Sequence, residues 1–301
     1  MELMFDKIES RTSVLILAEE VRALRNVTLD NFDEVFPSER ACFDFVSSLK
    51  WPDGFRCPRC GHPHAYTVCS RRIPLFECRS CRHQTSLTAE TIIEGSRTDL
   101  RKWLRALLLV SRAEEGTNAV QLSRELGVTY KTAWLMLHKI RRAISASDAR
   151  EPLAGIVQVQ AAVHGRPHNP TASLHRQESP LLVGASTDAE GQPFHVKMKL
   201  VSLKHMSEKL VTRTGTKAFT NEHVKADAHD LRIVTGRFSF HRFKSLLSLF
   251  KEARNWLNAT FHGLERKYLQ SYLDEFCFRW NAVRSGCEVF ERLSRVCFGS
   301  V

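Results

Sequence analysis

Cys57-Pro58-Arg59-Cys60 and, seventeen residues later, Cys78-Arg79-Ser80-Cys81 are the stretch that decides how this chain is read. Two Cys-x-x-Cys pairs at that separation can surround one Zn²⁺ with four thiolates in a tetrahedron, at a Zn–S distance of ~2.3 Å. The residues between them, Ala65-Tyr66-Thr67-Val68 and Ile73-Pro74-Leu75-Phe76-Glu77, read as the arms of a short hairpin. Gly61 stands where the turn around a thiolate calls for a positive φ. A disulfide pair or a redox Cys-x-x-Cys fits less well. Nine cysteines are an odd total, no export signal is visible at the N-terminus, and a redox motif has no need of a second matched pair. The expectation is one structural Zn²⁺ held by Cys57, Cys60, Cys78 and Cys81, in a closed site with no open position for catalysis. Cys42, Cys69, Cys277, Cys287 and Cys297 lack ligand spacing and read as thiols of a reducing cytoplasm.

Outward from the four cysteines the chain is basic, with Arg56, Arg59, Arg71, Arg72, Arg79, Arg82 and His83 around the ligands. The net charge of +11 is unevenly spread: residues 1–50 hold six basic and ten acidic side chains, residues 51–150 seventeen and nine. A surplus that begins at the metal-binding stretch suits a nucleic-acid binder, although charge alone reports only non-specific attraction. Arg71, Arg72, Arg79 and Arg82 are the candidate phosphate contacts there. The longest apolar run, Leu104-Arg105-Ala106-Leu107-Leu108-Leu109-Val110, is far too short to span a bilayer. The expected chain has no membrane partner and is cytoplasmic and nucleoid-associated.

Residues 1–50 read as amphipathic helices, with Phe32, Phe36, Cys42, Phe43, Phe45 and Val46 on the apolar side. Thr98-Asp99 opens a helix running to Arg112. From Asn118 to Arg142 two helices are joined at Gly127, a residue that closes a helix in the left-handed conformation; Thr129 caps the next. Ala133, Leu137, Ile140 and Ile144 share one side of that second helix. The pattern is a helix-turn-helix, in which the second helix enters the major groove of double-stranded DNA. Thr129, Tyr130, Lys131, Trp134 and His138 would then meet DNA, with Arg141 and Arg142 near phosphates. A plain helical hairpin with a solvated basic end is the alternative, weakened by the basic cysteine stretch before it.

Beyond Glu151-Pro152 the pattern changes. Residues 155–160 alternate like a strand, 181–186 and 194–201 read as two more, and Asp188-Ala189-Glu190-Gly191 is the turn between those two. A helix is expected over 203–213, a short strand over 217–220, helices over about 241–257 and 264–283, and a basic tail after them. That order is the order of an RNase H-like core. The fold class is multidomain α/β: an N-terminal helical segment (1–50), a zinc ribbon (51–88), a helix-turn-helix domain (89–150) and an RNase H-like domain (151–301).

Several stretches resemble DDE-type insertion-sequence transposases of the ISXO kind. They are Trp51-Pro52-Asp53-Gly54-Phe55, Cys57-Pro58-Arg59-Cys60-Gly61, Phe76 to Ser86, Leu122 to Val128, Lys131 to Lys139, and Tyr272 to Asn281. The resemblance implies metal-dependent cleavage and strand transfer on DNA, with two Mg²⁺ ions clamped by carboxylates. It also implies where those carboxylates belong, and this chain has none there: Gln160 at the first position, Asn221 at the second, His241 and Lys244 at the third. Neutral amides are poor ligands for a hard dication, and a lysine opposes it. No catalytic Mg²⁺ is expected. Asp188, Glu190, Asp227 and Asp230 fall in turns and loops. The resulting expectation is a catalytically inactive, transposase-derived DNA-binding protein acting as a transcriptional or nucleoid regulator, with the C-terminal domain as a homo-oligomerisation surface. An active or decaying transposase, and a protein–protein adaptor, are the rival readings.

Overall fold

The computed structural model describes residues 27–68, 73–112, 116–165, 173–236, 243–262 and 264–299. Cys69, Arg71, Arg72 and His241 lie outside them. The chain divides into two units, one from Met1–Arg112, Ala119–Ile140 and Glu288–Val301, the other from Ala113–Asn118 and Arg141–Cys287. Among the described residues no helix is long and apolar enough to cross a membrane.

In the first unit, α1 (Phe32–Val35) leads into α2 (Glu39–Lys50), whose N-terminus is capped by Ser38 Oγ accepting from Ala41 N at 3.2 Å. The rings of Phe32, Phe36 and Phe45 pack in succession, tilted about 50° to one another, with centroids 5.1 and 5.4 Å apart. At the other end of α2, Lys50 is buried. Its ammonium donates to the carbonyls of Ser86, Leu87 and Ala89 at 3.2, 3.1 and 2.5 Å, tying the helix to the segment after the cysteines. Burial lowers the proton affinity of Lys50, and Glu90 and Glu94 oppose that. The cysteine stretch forms a three-stranded antiparallel sheet: β1 (Ala65–Val68), β2 (Leu75–Cys78) and β3 (Gln84–Ser86). The sequence pattern gave the first two strands. Helix α3 (Leu100–Ser111) buries Trp103, Leu104, Leu107 and Leu108. It is followed by α4 (Ala119–Leu126) and α5 (Tyr130–Ala149), of which residues 130–140 fall in this unit and 141–149 in the second.

The expected basic tail is in part a helix, α9 (Val289–Phe298), and it belongs to the first unit. Phe290 stacks on Phe45 at 6.2 Å, and Cys297 O accepts from Ile92 N at 3.3 Å. Val289, Phe290, Leu293, Cys297 and Phe298 are all buried, a helical spacing that burial turns into an anchor.

The second unit is built on a four-stranded sheet in the order β6-β5-β4-β9. The strands are β4 (Ile156–His164), β5 (Ser179–Thr187), β6 (Pro193–Leu200) and β9 (Asp230–Val234). β5 runs antiparallel to both β4 and β6, and β9 lies parallel to β4. Every residue of β5 is buried, because both faces of the sheet are covered. Leu181, Val183 and Ala185 face α7 (Lys244–Thr260) and α8 (Arg266–Arg284), while Leu182 faces α6 (Arg213–His223). This is the period-2 alternation of a strand. Gly184 is needed on the α6 face: a Cβ there would lie 2.6 Å from the Phe219 ring.

Two elements differ from expectation. Residues 203–213 hold a 3₁₀ turn (Leu203–His205) and a small hairpin, β7 (Met206–Ser207) with β8 (Leu210–Val211), in place of a helix. Residues 217–220 lie inside α6 and are not a strand. The run of threonines at 212, 214, 216 and 220 mimics strand composition, but Phe219 at helical phase packs on the sheet and decides the outcome. The parallel strand is β9, ten residues further on. The main sheet and its helices follow one another as strand-strand-strand-helix-strand-helix, but with the β7–β8 hairpin inserted and with neither the helix expected over 203–213 nor the strand expected over 217–220 in place.

Candidate metal centre and nucleic-acid interface

The four cysteines converge. The Sγ atoms of Cys57, Cys60, Cys78 and Cys81 lie within 4.8 Å of one another, with Cys57–Cys81 and Cys60–Cys78 both at 3.6 Å. A tetrahedral ion with Zn–S near 2.3 Å has S···S edges of about 3.8 Å. The donor set fits one zinc ion. Each Cys-x-x-Cys pair closes by the same turn: Gly61 N donates to Cys57 O at 2.8 Å, and Arg82 N to Cys78 O at 3.1 Å. Gly61 and Arg82 share the left-handed conformation, φ 72° and 58°. The sequence explained the glycine; Arg82 adopts the same strained geometry with its guanidinium 3.0 Å from Glu77. Arg79 and Arg82 are exposed and stack over the half-exposed ring of Tyr66, at 4.8 and 5.8 Å, so the ribbon presents a cationic aromatic patch. Tyr66 escaped the sequence reading, which weighed charge and not the ring beneath it.

Gly127, at φ 58°, ends α4, and Thr129 caps α5, its Oγ1 accepting from Thr132 N at 3.2 Å. Ser123 Oγ donates to Val128 O at 2.6 Å and fixes the turn. Ala133, Leu137, Ile140 and Ile144 are buried as expected. Tyr130 and Lys131 are exposed on the first turn of α5, followed by half-buried Trp134 and His138, whose rings lie 3.8 Å apart. Arg142 is exposed. Arg141 is not, and the expectation for it is corrected. Its guanidinium, 2% exposed, lies 2.6 Å from the fully buried Glu275 carboxylate and 3.9 Å over the Tyr272 ring. It is held by an ion pair inside the second unit, away from any phosphate.

Next to that pair is a second polar cluster. Asp148 lies 2.8 Å from Lys197 and 2.6 Å from Lys199, and Lys199 lies 2.7 Å from Asp274, which also accepts from Ser145 Oγ at 2.6 Å. Burial alone would raise the Asp148 pKa; Lys199 and Lys197 bring it below the usual carboxylate value.

Gln160 lies in the middle of β4, not at the strand end the sequence suggested, because β4 runs on to His164; it is 1% exposed, on the sheet face toward α7. It stands opposite Val234, the last residue of β9. Its Nε2 donates to Ala161 O and Val234 O, both at 3.3 Å, and its Oε1 accepts from Phe243 N at 3.2 Å, just before α7. One amide thus joins β4, β9 and α7. Lys244 is exposed at the start of α7. Asn221 is not part of this junction: it is exposed on α6, and Val234-Thr235-Gly236 stand at the end of the parallel strand instead. Asp230 is at the opposite end of β9, beside Ile156 and 2.6 Å from Arg232; four residues of strand put about 13 Å between it and Val234. Asp188 closes its turn by accepting from Gln192 N at 2.7 Å.

Comparison with known proteins gives two matched domains. Residues 37–84 match the transposase zinc-ribbon domain, and residues 152–281 match the ISXO2-like transposase domain. A protein from Halobacterium salinarum described as "Uncharacterized protein in transposable element ISH50" is 30% identical over 140 residues, which is 44% of this chain and 46% of that relative. The match therefore spans less than half of that relative's length. No solved structure matches the chain.

Proposed function

We propose that this chain is a transposase-derived protein that binds double-stranded DNA, no longer cleaves it, and acts as a transcriptional or nucleoid regulator. The observation that carries the reading is Gln160. Two dications close together need several negative charges on the ends of adjoining elements. At the junction of β4, β9 and α7 the chain supplies a neutral amide engaged with three backbone groups, the apolar Val234 and the cation Lys244. No acid occurs in Ile156–His164 or in residues 231–236. Gln160 therefore serves as a brace.

Binding rests on the first unit. Zinc, held by Cys57, Cys60, Cys78 and Cys81, fixes the two turns and thereby the Arg79–Tyr66–Arg82 patch against phosphates. Tyr130, Lys131, Trp134 and His138 on the first three turns of α5 read base edges, and Arg142 contacts a phosphate. A second copy joined through the second unit would space two such helices, giving a two-fold symmetric target.

Mapping the DNA bound in cells tests this. A discrete set of sites, lost when Lys131 and Trp134 are changed to alanine, is expected. Recovery of the protein with other proteins and without DNA would support the adaptor reading and refute this one.

A further inference from the structure

α7, α8 and the start of β6 line an open cleft of about 560 Å³ within the second unit, formed by residues that the DNA-binding reading leaves unused. Its volume lies within the ~300–1,000 Å³ typical of small-ligand sites. Three aromatic rings form the wall: Trp256 and Phe276, with centroids 5.9 Å apart, and Trp280. Two arginines lie against them, the Arg279 guanidinium 5.5 Å from the Trp256 ring and that of Arg284 5.6 Å from Trp280. Arg279 is buried and Arg284 exposed. The one carboxylate in the lining is Glu252, exposed on α7.

We propose that this cleft binds a nucleotide unit, the base lying on the tryptophans and the phosphate meeting Arg284 and Arg279. Indole faces accept any base by stacking, and a guanidinium matches a phosphate with two parallel hydrogen bonds. Glu252, an acceptor only, takes a hydrogen bond from an exocyclic amine, which adenine, cytosine and guanine have and thymine lacks. The ligand is either a free nucleotide or an unpaired nucleotide at a DNA end; both present the same base and phosphate. The site does not depend on residues 57–142 contacting duplex DNA, and either reading can fail alone.

The test is calorimetric titration of the full-length, zinc-loaded protein with dAMP, dCMP and dTMP, and in parallel with a blunt duplex and the same duplex carrying a 3′ adenine overhang. dAMP and dCMP are expected to bind about tenfold more tightly than dTMP. Arg284→Ala should weaken all three about tenfold, and Glu252→Ala should remove the difference between them; both residues are exposed, so both variants should keep the parent circular dichroism. An overhang preference abolished by Arg284→Ala assigns the site to DNA ends; mononucleotide binding without it assigns the site to free nucleotides. No binding of any mononucleotide together with no overhang preference, or binding that Arg284→Ala leaves unchanged, overturns the proposal.

Discussion

Replacing Arg141 with alanine should damage the fold and not a DNA contact. The guanidinium is 2% exposed, lies 2.6 Å from Glu275 Oε2, and packs over Tyr272 at 3.9 Å and Phe261 at 5.2 Å. Truncation leaves the fully buried Glu275 carboxylate without its counter-ion, and Glu275 Oε1 has no other hydrogen-bond partner among the described residues. Breaking a buried pair from one side costs about 3–5 kcal/mol. Arg279 is close enough to feel the Glu275 charge, so the lower end, about 3 kcal/mol, is the expected loss. With an m-value of about 2 kcal/mol/M, that moves the urea midpoint of the second unit down by about 1.5 M. Replacing both partners with apolar residues, Arg141→Met with Glu275→Leu, removes the stranded charge and should restore most of the loss. Arg142→Ala, on the same helix but exposed, should stay within about 0.5 kcal/mol of the parent. Urea unfolding followed by circular dichroism reads all three. If Arg141→Ala left the midpoint in place while weakening DNA binding, the buried assignment would be wrong.

Metal analysis should find one zinc per chain, and Cys78→Ser should lose both the metal and DNA binding, since structural zinc supplies folding free energy directly. In fluorescence anisotropy, affinity for duplex DNA should fall steeply with salt. Arg142→Ala should shallow that slope by about 0.9 while lowering affinity for all sequences alike, whereas Lys131→Ala should weaken the specific site most. Asp148 has a folded pKa below its usual value, so its contribution to stability is complete above about pH 4 and is lost as the pH falls through the folded value; Asp148→Asn should flatten that acid limb and lower stability at neutral pH, where Lys197 and Lys199 lose a partner. Gly184→Ala should destabilise the second unit by about 1–3 kcal/mol in the same unfolding assay, because the added methyl meets Phe219.

What could be read from the sequence was whatever is dictated by short-range constraint. Four thiolates at two fixed spacings leave one arrangement, and Gly127 followed by Thr129 marks a helix end and a helix start by local backbone chemistry alone. Arg141 was hidden because Arg141 and Arg142 look alike in sequence, and the residue that separates their fates, Glu275, is 134 positions away. α6 was hidden because threonines favour strands until a single ring, Phe219, finds the sheet. The parallel strand consequently moved to 230–234, taking the expected second ligand position away from Asn221. α9 did carry its signal, apolar residues at helical spacing from 289 to 298, but the surrounding arginines were read as a tail.

Binding without cutting is what separates this chain from an active transposase. The direct measurement is to incubate the full-length, zinc-loaded protein with a supercoiled plasmid carrying a sequence it occupies in cells, in Mg²⁺ or Mn²⁺, and resolve the products on a denaturing gel. A retarded complex on a native gel and intact strands on the denaturing one are expected. Metal-dependent nicks or strand-transfer products at the bound site would contradict it.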